Sequence, residues 1–299
     1  MNTKTKQIVL PLITSMIWGS AFVAQKSGAE SVGAFTFTWT RYLLAALALL
    51  CFLTLRGARE GKKPFSENRP VLLRGGLVMG TLLMIASNLQ QYGVGLTTAG
   101  KAGFITALYI VLVPLFGLFL GKRVRAVVWC GVAVAVAGLY FLSFAAGGEL
   151  SFTRGDFFVL LCAIVFTLHI LSIDHYTKFA GGVELACLQF AVAAAESCAA
   201  ALLTEGIPVD AIAQGAFPIF YAGVISGGIG YTLQIVAQKD GDPTVVSLLL
   251  SLESLFAVIS GAIILHERLS PREYIGCVLM VCAVALVQLP EKKKDAAAS

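Results

Sequence analysis

The chain has 299 residues, of which 58% are hydrophobic and 13% charged, with a mean hydropathy of +0.84. A soluble domain carries about 25% charged residues, so this composition excludes a soluble globular enzyme, a disordered protein and a nucleic-acid binder. The formal charge of +5 says less than the placement of the basic residues, because placement sets orientation in a membrane.

A hydrocarbon core about 30 Å thick is crossed by about 20 apolar residues rising 1.5 Å each. Ten stretches qualify: residues 7–25, 34–56, 70–92, 98–121, 125–146, 155–175, 182–204, 215–237, 243–265 and 271–289. Backbone amides find no water in lipid, so each stretch is predicted to be a helix. Runs such as Leu43–Leu53 lack the alternation of a barrel strand. The first stretch has no small-x-small cleavage site and reads as a mature span. With ten spans, the side bearing both termini holds 15 Lys and Arg, against five (Lys26, Lys101, Arg154, Arg268, Arg272) on the other. That bias places both termini in the cytoplasm of a multi-pass protein of the inner cell membrane. Seven Cys lie inside apolar stretches with no CxxC pair, and read as buried free thiols.

The polar residues inside the spans need individual reasons, since a charge at the bilayer centre costs about 2.5–3.5 kcal/mol on insertion scales. Span one carries Trp18, placed to line a cavity. Arg41 of span two cannot lose its charge; it holds a substrate carboxylate in a bidentate pair, or anchors at the interface, or partners an acid. In span three, Arg74 reads as an anchor, and Asn88 and Gln91, three apart, share a face while Gln90 points elsewhere. With Gln189 and Gln234 these amides suggest a wet cavity, or else hydrogen bonds between helices. Span four opens with Lys101, whose stem snorkels outward, and continues through Tyr109 and Pro114. His169 of span six is either a satisfied core histidine or a proton carrier. Asp174 and His175 at its cytoplasmic end are explained by loop solvation. Glu196 of span seven, among alanines, is a protonated interhelical hydrogen-bonder or a site residue. Span eight brings Gly227, Gly228 and Gly230, which let helices pack closely in preference to marking places where a helix bends, and Tyr231. Glu253 of span nine lies ten residues beyond Pro243, about 15 Å into the core by helical rise. A carboxylate there binds a cation or exchanges a proton, the alternative being a neutral group bonded to a neighbouring helix. Trp39 and Trp129 read as belt residues.

Spans one and six match at Trp18 and Phe166, and spans two and seven at Arg41 and Gln189, both 148 residues apart. Lys122-Arg123 and Glu267-Arg268 close spans four and nine, 145 apart. The order of these matches implies two five-helix units, residues 7–146 and 154–290. Five is odd, so the second unit enters the membrane in the opposite sense. The expected fold is therefore all-α integral membrane, with ten transmembrane helices as two inverted-topology five-helix repeats.

The segments TSMIWGSAFVAQK, SNLQQYGVGLTTAGKAGFITALYIVLVPLFGLFLGKRV and VVSLLLSLESLFAVISGAIILHERLSPREYIGCVLM together resemble the drug/metabolite transporter superfamily, in its ten-helix branch with paired EamA-like domains. The resemblance spans essentially the whole chain. Two departures stand out: the family's Gly-Glu-Arg endings are Gly121-Lys122-Arg123 and His266-Glu267-Arg268 here, and the proline frequent after Leu-Glu in span nine is Ser254. The resemblance implies transport, since the family includes exporters of amino acids and other metabolites, and it makes Arg41 site-adjacent.

The sequence thus predicts a secondary active transporter of a small polar or amphipathic metabolite, with export favoured by resemblance alone. Trp18, Arg41, Asn88, Gln91, Tyr109, His169, Gln234 and Glu253 are the expected substrate-binding residues, and Glu253, His169 and Glu196 the proton-coupling ones. Spans five and ten are peripheral supports. Expected partners are the small-molecule substrate, protons and membrane lipid, without nucleic acid, in a monomer or homodimer. No P-loop, HExxH or GxSxG occurs, so no metal or cofactor is expected. The rival readings are an uncoupled facilitator or channel, and an intramembrane enzyme using Glu253, Glu196 and His169.

Overall fold

The structure, a computed structural model, describes residues 3–61, 63–66, 68–97, 99–143, 152–239, 241–264 and 270–288. Among them every regular element is helical. Spans one to three are the unbroken helices α1 (Thr3–Ser31), α2 (Ala34–Glu60) and α3 (Arg69–Leu96). Span four is split into α4 (Ala99–Ala107) and α5 (Tyr109–Phe119), and span five is α6 (Ala126–Ser143). Spans six and seven are α7 (Arg154–Tyr176) and α8 (Gly182–Thr204), followed by the short α9 (Val209–Gln214). Span eight joins α10 (Ala216–Phe220), a π-helical segment (Tyr221–Tyr231) and α11 (Thr232–Lys239). Span nine is split into α12 (Pro243–Leu250) and α13 (Glu253–Ile264), and span ten is α14 (Pro271–Val287). Most of the 146–154 junction, the Glu267-Arg268 pair, the Lys292–Lys294 tail and the side chain of Lys101 lie outside the described residues.

Eight of these helical stretches are long and apolar enough to cross a membrane, counting the split spans four and nine as one crossing each. Against the ten expected, span five is the shorter apolar helix Ala126–Leu142, and span ten has 17 residues, about 25 Å by helical rise. The outward faces are greasy: Leu47, Phe52, Leu77, Phe119 and Leu203 are all exposed. On a multi-pass membrane protein such faces meet acyl chains.

Some helix starts are capped by residues the sequence supplies locally, and one is capped from far along the chain. Thr153 and Asp156 form a capping box on α7, and Ser270 and Glu273 another on α14, satisfying N–H groups that a helix start leaves orphaned. The distant case is α2, whose N-cap is Gly33, without a side-chain bond of its own. The carboxylate of Glu205, at the end of α8, accepts from the backbone N–H of Phe35 at 3.0 Å and of Thr36 at 2.8 Å. One half of the chain thus caps a helix of the other.

The principal contacts pair α3 with α7 and α8, α2 with α8 and the π-helical segment, α1 with α13 and the π-helical segment, and α6 with α14. Numbered as spans, three on six is matched by eight on one, and three on seven by eight on two; two on seven and five on ten map onto themselves. Two apolar clusters result. One centres on Tyr42, Met79, Leu83, Leu185 and Phe190, the other on Ile110, Val113, Leu139, Leu248 and Met280.

Span ten touches span five through backbone. A Cβ added to Gly276 would lie 2.8 Å from the Gly138 carbonyl oxygen and 2.9 Å from the Leu142 nitrogen. Backbone cannot rotate aside, so the helices must part, and overpacking of this kind costs about 1–3 kcal/mol. Gly276→Ala is expected to lower the melting temperature of the detergent-purified protein by several degrees, measured by tryptophan fluorescence. An unchanged midpoint would mean that α6 and α14 are not tightly held.

Candidate functional site

Where the two apolar clusters meet, spans one, two, three, four, six, eight and nine enclose a cavity of about 40 Å³. At ~10–15 Å³ per water, that is room for about three or four waters. Its wall includes Trp18, Arg41, Tyr109, His169, Gln234 and Glu253, six of the residues singled out in the sequence.

Glu253 opens α13 immediately after the break in span nine and is buried at 5% exposure. Tyr109, the first residue of α5, donates from its hydroxyl to Glu253 Oε1 at 3.3 Å. Arg41 is equally buried at 5%, so it does not snorkel. Its guanidinium sits over the rings of Tyr42 (4.7 Å) and Phe37 (5.3 Å), a cation–π arrangement. Its one described side-chain bond, Nη2 to the Tyr42 hydroxyl, is 3.4 Å long, and Nε has no partner among the described residues. No ion pair joins Arg41 to a carboxylate among the described residues. The cavity therefore holds one guanidinium and one carboxyl that do not neutralise each other.

The remaining walls are aromatic and amide. Trp18 packs against Tyr231 with centroids 4.6 Å apart and the rings tilted by 51°, and its indole N–H donates to the Ser226 carbonyl at 3.3 Å. That carbonyl lies in the π-helical segment, where Gly223 and Gly227 leave room for α2 and Gly230 leaves room for α1. His169 Nε2 lies 2.9 Å from Gln189 Oε1, with its ring edge-on to Phe166 and Tyr231. Gln234 donates to Gln238 Oε1 at 3.0 Å, and its own Oε1 has no partner among the described residues.

Three singled-out residues lie elsewhere. Asn88 donates to Met84 O and to Ser197 Oγ, at 2.8 and 3.0 Å, joining α3 to α8. Gln91 donates to Gln25 O at 3.1 Å, joining α3 to α1. Glu196 accepts from the Thr81 hydroxyl at 2.7 Å in the α3–α8 seam. In their place Gln90, expected on another face, reaches the cavity and donates to Thr106 Oγ1 at 3.3 Å. Gln25 also lines it, with its Oε1 unpaired among the described residues. Gln25 follows Trp18 by seven residues, two helical turns on the same face, which is the signal that points to it.

Two further expectations change. Asp174 is not solvated: it is buried and takes Lys122 Nζ and, at 3.1 Å, Lys178 Nζ, tying the end of span four to the end of span six. The seven thiols are free, but Cys51, Cys130 and Cys282 face outward. Among the described residues no three or more His, Cys, Asp or Glu converge to hold a metal ion. A second cavity of about 340 Å³ opens at the basic end of the molecule between α2, α3, α8 and α11, lined by Arg56, Glu60, Lys63, Glu184 and Lys239 among others.

A helical membrane protein with a polar cavity buried between its spans belongs to the architecture of transporters, and sequence comparison gives the family. The EamA-like transporter family matches residues 5–144 and again 153–289; the chain belongs to this family of the drug/metabolite transporter superfamily. It is 31% identical over 283 residues to an uncharacterized transporter of Archaeoglobus fulgidus, covering 93% of this chain and 84% of that one. It is 25% identical over 295 residues to the uncharacterized inner membrane transporter YedA of Escherichia coli K12, covering 94% and 92%. A probable terminal-alkyne amino-acid exporter of Streptantibioticus cattleyicolor is 26% identical over 183 residues, 61% of this chain and 60% of its own length. A crystal structure of 18% sequence identity superposes with a TM-score of 0.80, over 95% of this chain and 96% of that one, a likeness of fold.

Proposed function

We propose that the chain is a secondary active transporter that moves a small amphipathic zwitterion, such as an amino acid, across the cytoplasmic membrane by alternating access. The observation that carries this reading is that Arg41 and Glu253 are buried in one cavity with no ion pair to either among the described residues. A buried charge without a counter-charge is expensive, and a ligand bearing an ammonium and a carboxylate would supply one to each. Glu253 takes the cationic group or a proton, Arg41 the carboxylate, and the Trp18–Tyr231 pair the apolar remainder. His169 and Gln234 supply further polar contacts, while Asn88, Gln91 and Glu196 hold spans together. The cavity has room for only about three or four waters, so cargo has to bind with the spans moved apart, as alternating access requires.

The mirrored contacts between spans support an inverted pair of five-helix units, and the basic bias of 15 to five supports cytoplasmic termini. Export follows the name of the Streptantibioticus relative.

A thermal-shift panel of zwitterionic, cationic and anionic metabolites on detergent-purified protein tests the reading. A ligand at a hundred times its Kd stabilises by about 2.7 kcal/mol, and zwitterions are expected to give the largest shift. Arg41→Gln should weaken that binding about 10- to 150-fold, the range for bonds to a charged group. Arg41→Lys, which keeps the charge but loses the fork, should fall between. Simple cations stabilising as well as zwitterions would remove Arg41 from the site, and flux without saturable counterflow would identify a pore.

A further inference from the structure

Spans four and nine are both interrupted, and neither break contains proline or glycine. At the first, Leu108 N–H donates to Ile105 O at 3.2 Å; at the second, Leu252 N–H donates to Leu249 O at 3.3 Å. Both are three-residue bonds in place of the helical four. Ser251 Oγ donates back to Leu248 O at 2.7 Å, a bond that bends helices. The 145-residue offset that aligns Lys122 with Glu267 places Leu108 on Glu253, the residue just after the second break, so the two breaks fall within one or two residues of each other in the two halves. The residues that restart the helices, Tyr109 and Glu253, are the two ends of one buried hydrogen bond. Around it α5 packs on α12, and α4 on α13.

We propose that Tyr109 is a positioning residue that locks the two breaks to each other through the Glu253 carboxyl, so that neither flexes while the bond is made. Opening it with nothing in exchange strands a buried hydroxyl, which costs more than a bond replaced, so the lock holds in the empty protein. At 3.3 Å it is longer than the usual 2.7–2.8 Å of O–H···O bonds, and a better partner displaces it. The consequence for transport rests on the coupling reading of Glu253: a cationic group that takes the carboxyl from Tyr109 frees spans four and nine together. The lock itself is measurable without cargo.

The test is amide hydrogen exchange, read by mass spectrometry on wild type, Tyr109→Phe, Glu253→Gln and Glu253→Ala in the same detergent. Tyr109→Phe should speed exchange about two- to tenfold, the range for one typical hydrogen bond, in both segments 109–113 and 253–257, with α6 and α14 unchanged. Glu253→Gln, whose amide oxygen still accepts from Tyr109, should exchange as wild type, and Glu253→Ala as Tyr109→Phe. Wild-type rates in Tyr109→Phe, acceleration at one break alone, or acceleration spread through α6 and α14 would each overturn the lock. Gradient-coupled flux surviving in Glu253→Gln, with both breaks loosened in Tyr109→Phe, would remove the coupling reading and leave the lock standing.

Discussion

Glu253→Gln reconstituted into liposomes is expected to lose all dependence of flux on a pH gradient. The substitution isolates charge from shape. Glutamine has the same length, keeps an oxygen that can accept from Tyr109, and fills the same space between α12, α13 and α5. It cannot exchange a proton or carry a negative charge to a cation. Binding of an ammonium-bearing cargo should weaken about 10- to 150-fold, since bonds to a charged group contribute about 1.5–3 kcal/mol. Downhill counterflow at saturating cargo should persist, because the aromatic wall and Arg41 remain. The measurement is tracer flux with and without an imposed gradient, and a full gradient response in this variant would exclude Glu253 from coupling.

Composition alone makes the helical membrane fold legible: apolar runs about 20 residues long have one stable solution in lipid. What the runs hide is where a helix stops inside the bilayer. Leu108 and the Ser251-Leu252 pair carry no breaker residue, and Pro114, the visible candidate, lies six residues past the break within α5. The glycines of span eight read first as packing positions, and spacing does not show that the span there becomes an 11-residue π-helical segment.

The same division runs through the site. Intramembrane Arg41, His169 and Glu253 stand out because burying such groups is costly, and the structure brings all three to one cavity. The amides of α3 are less legible. Spacing shows that Asn88 and Gln91 share a face, but which face turns inward depends on how α3 lies against α1, α7 and α8, and there Gln90 turns inward instead. Asp174 and Lys122, 52 residues apart, and Glu205 and Phe35, 170 apart, are pairings that no local pattern encodes. Long-range partners follow from packing, and packing in lipid follows small residues.

Gly19→Ala tests that dependence beside the cavity, where one methyl group should disturb both stability and the site. An added Cβ would lie 2.7 Å from the Ala257 nitrogen, 2.7 Å from the Glu253 carbonyl oxygen and 2.6 Å from Phe256 Cβ. Two of these are backbone atoms of the first turn of α13, so α1 and α13 must separate, at a cost of about 1–3 kcal/mol. The turn that is pushed carries Glu253, and the residue before Gly19 is Trp18, so the strain enters the cavity from both walls. The expected outcome is a melting temperature lowered by several degrees together with loss of the zwitterion-induced thermal shift. Gly228→Ala is the matched control: its nearest neighbour, the Gly223 oxygen, lies at 3.7 Å, an ordinary contact, so stability and binding should both stay near wild type. A Gly19→Ala protein that melts and binds as wild type would show that α1 yields freely, and with it that the distance between Trp18 and Glu253 is not set by this contact.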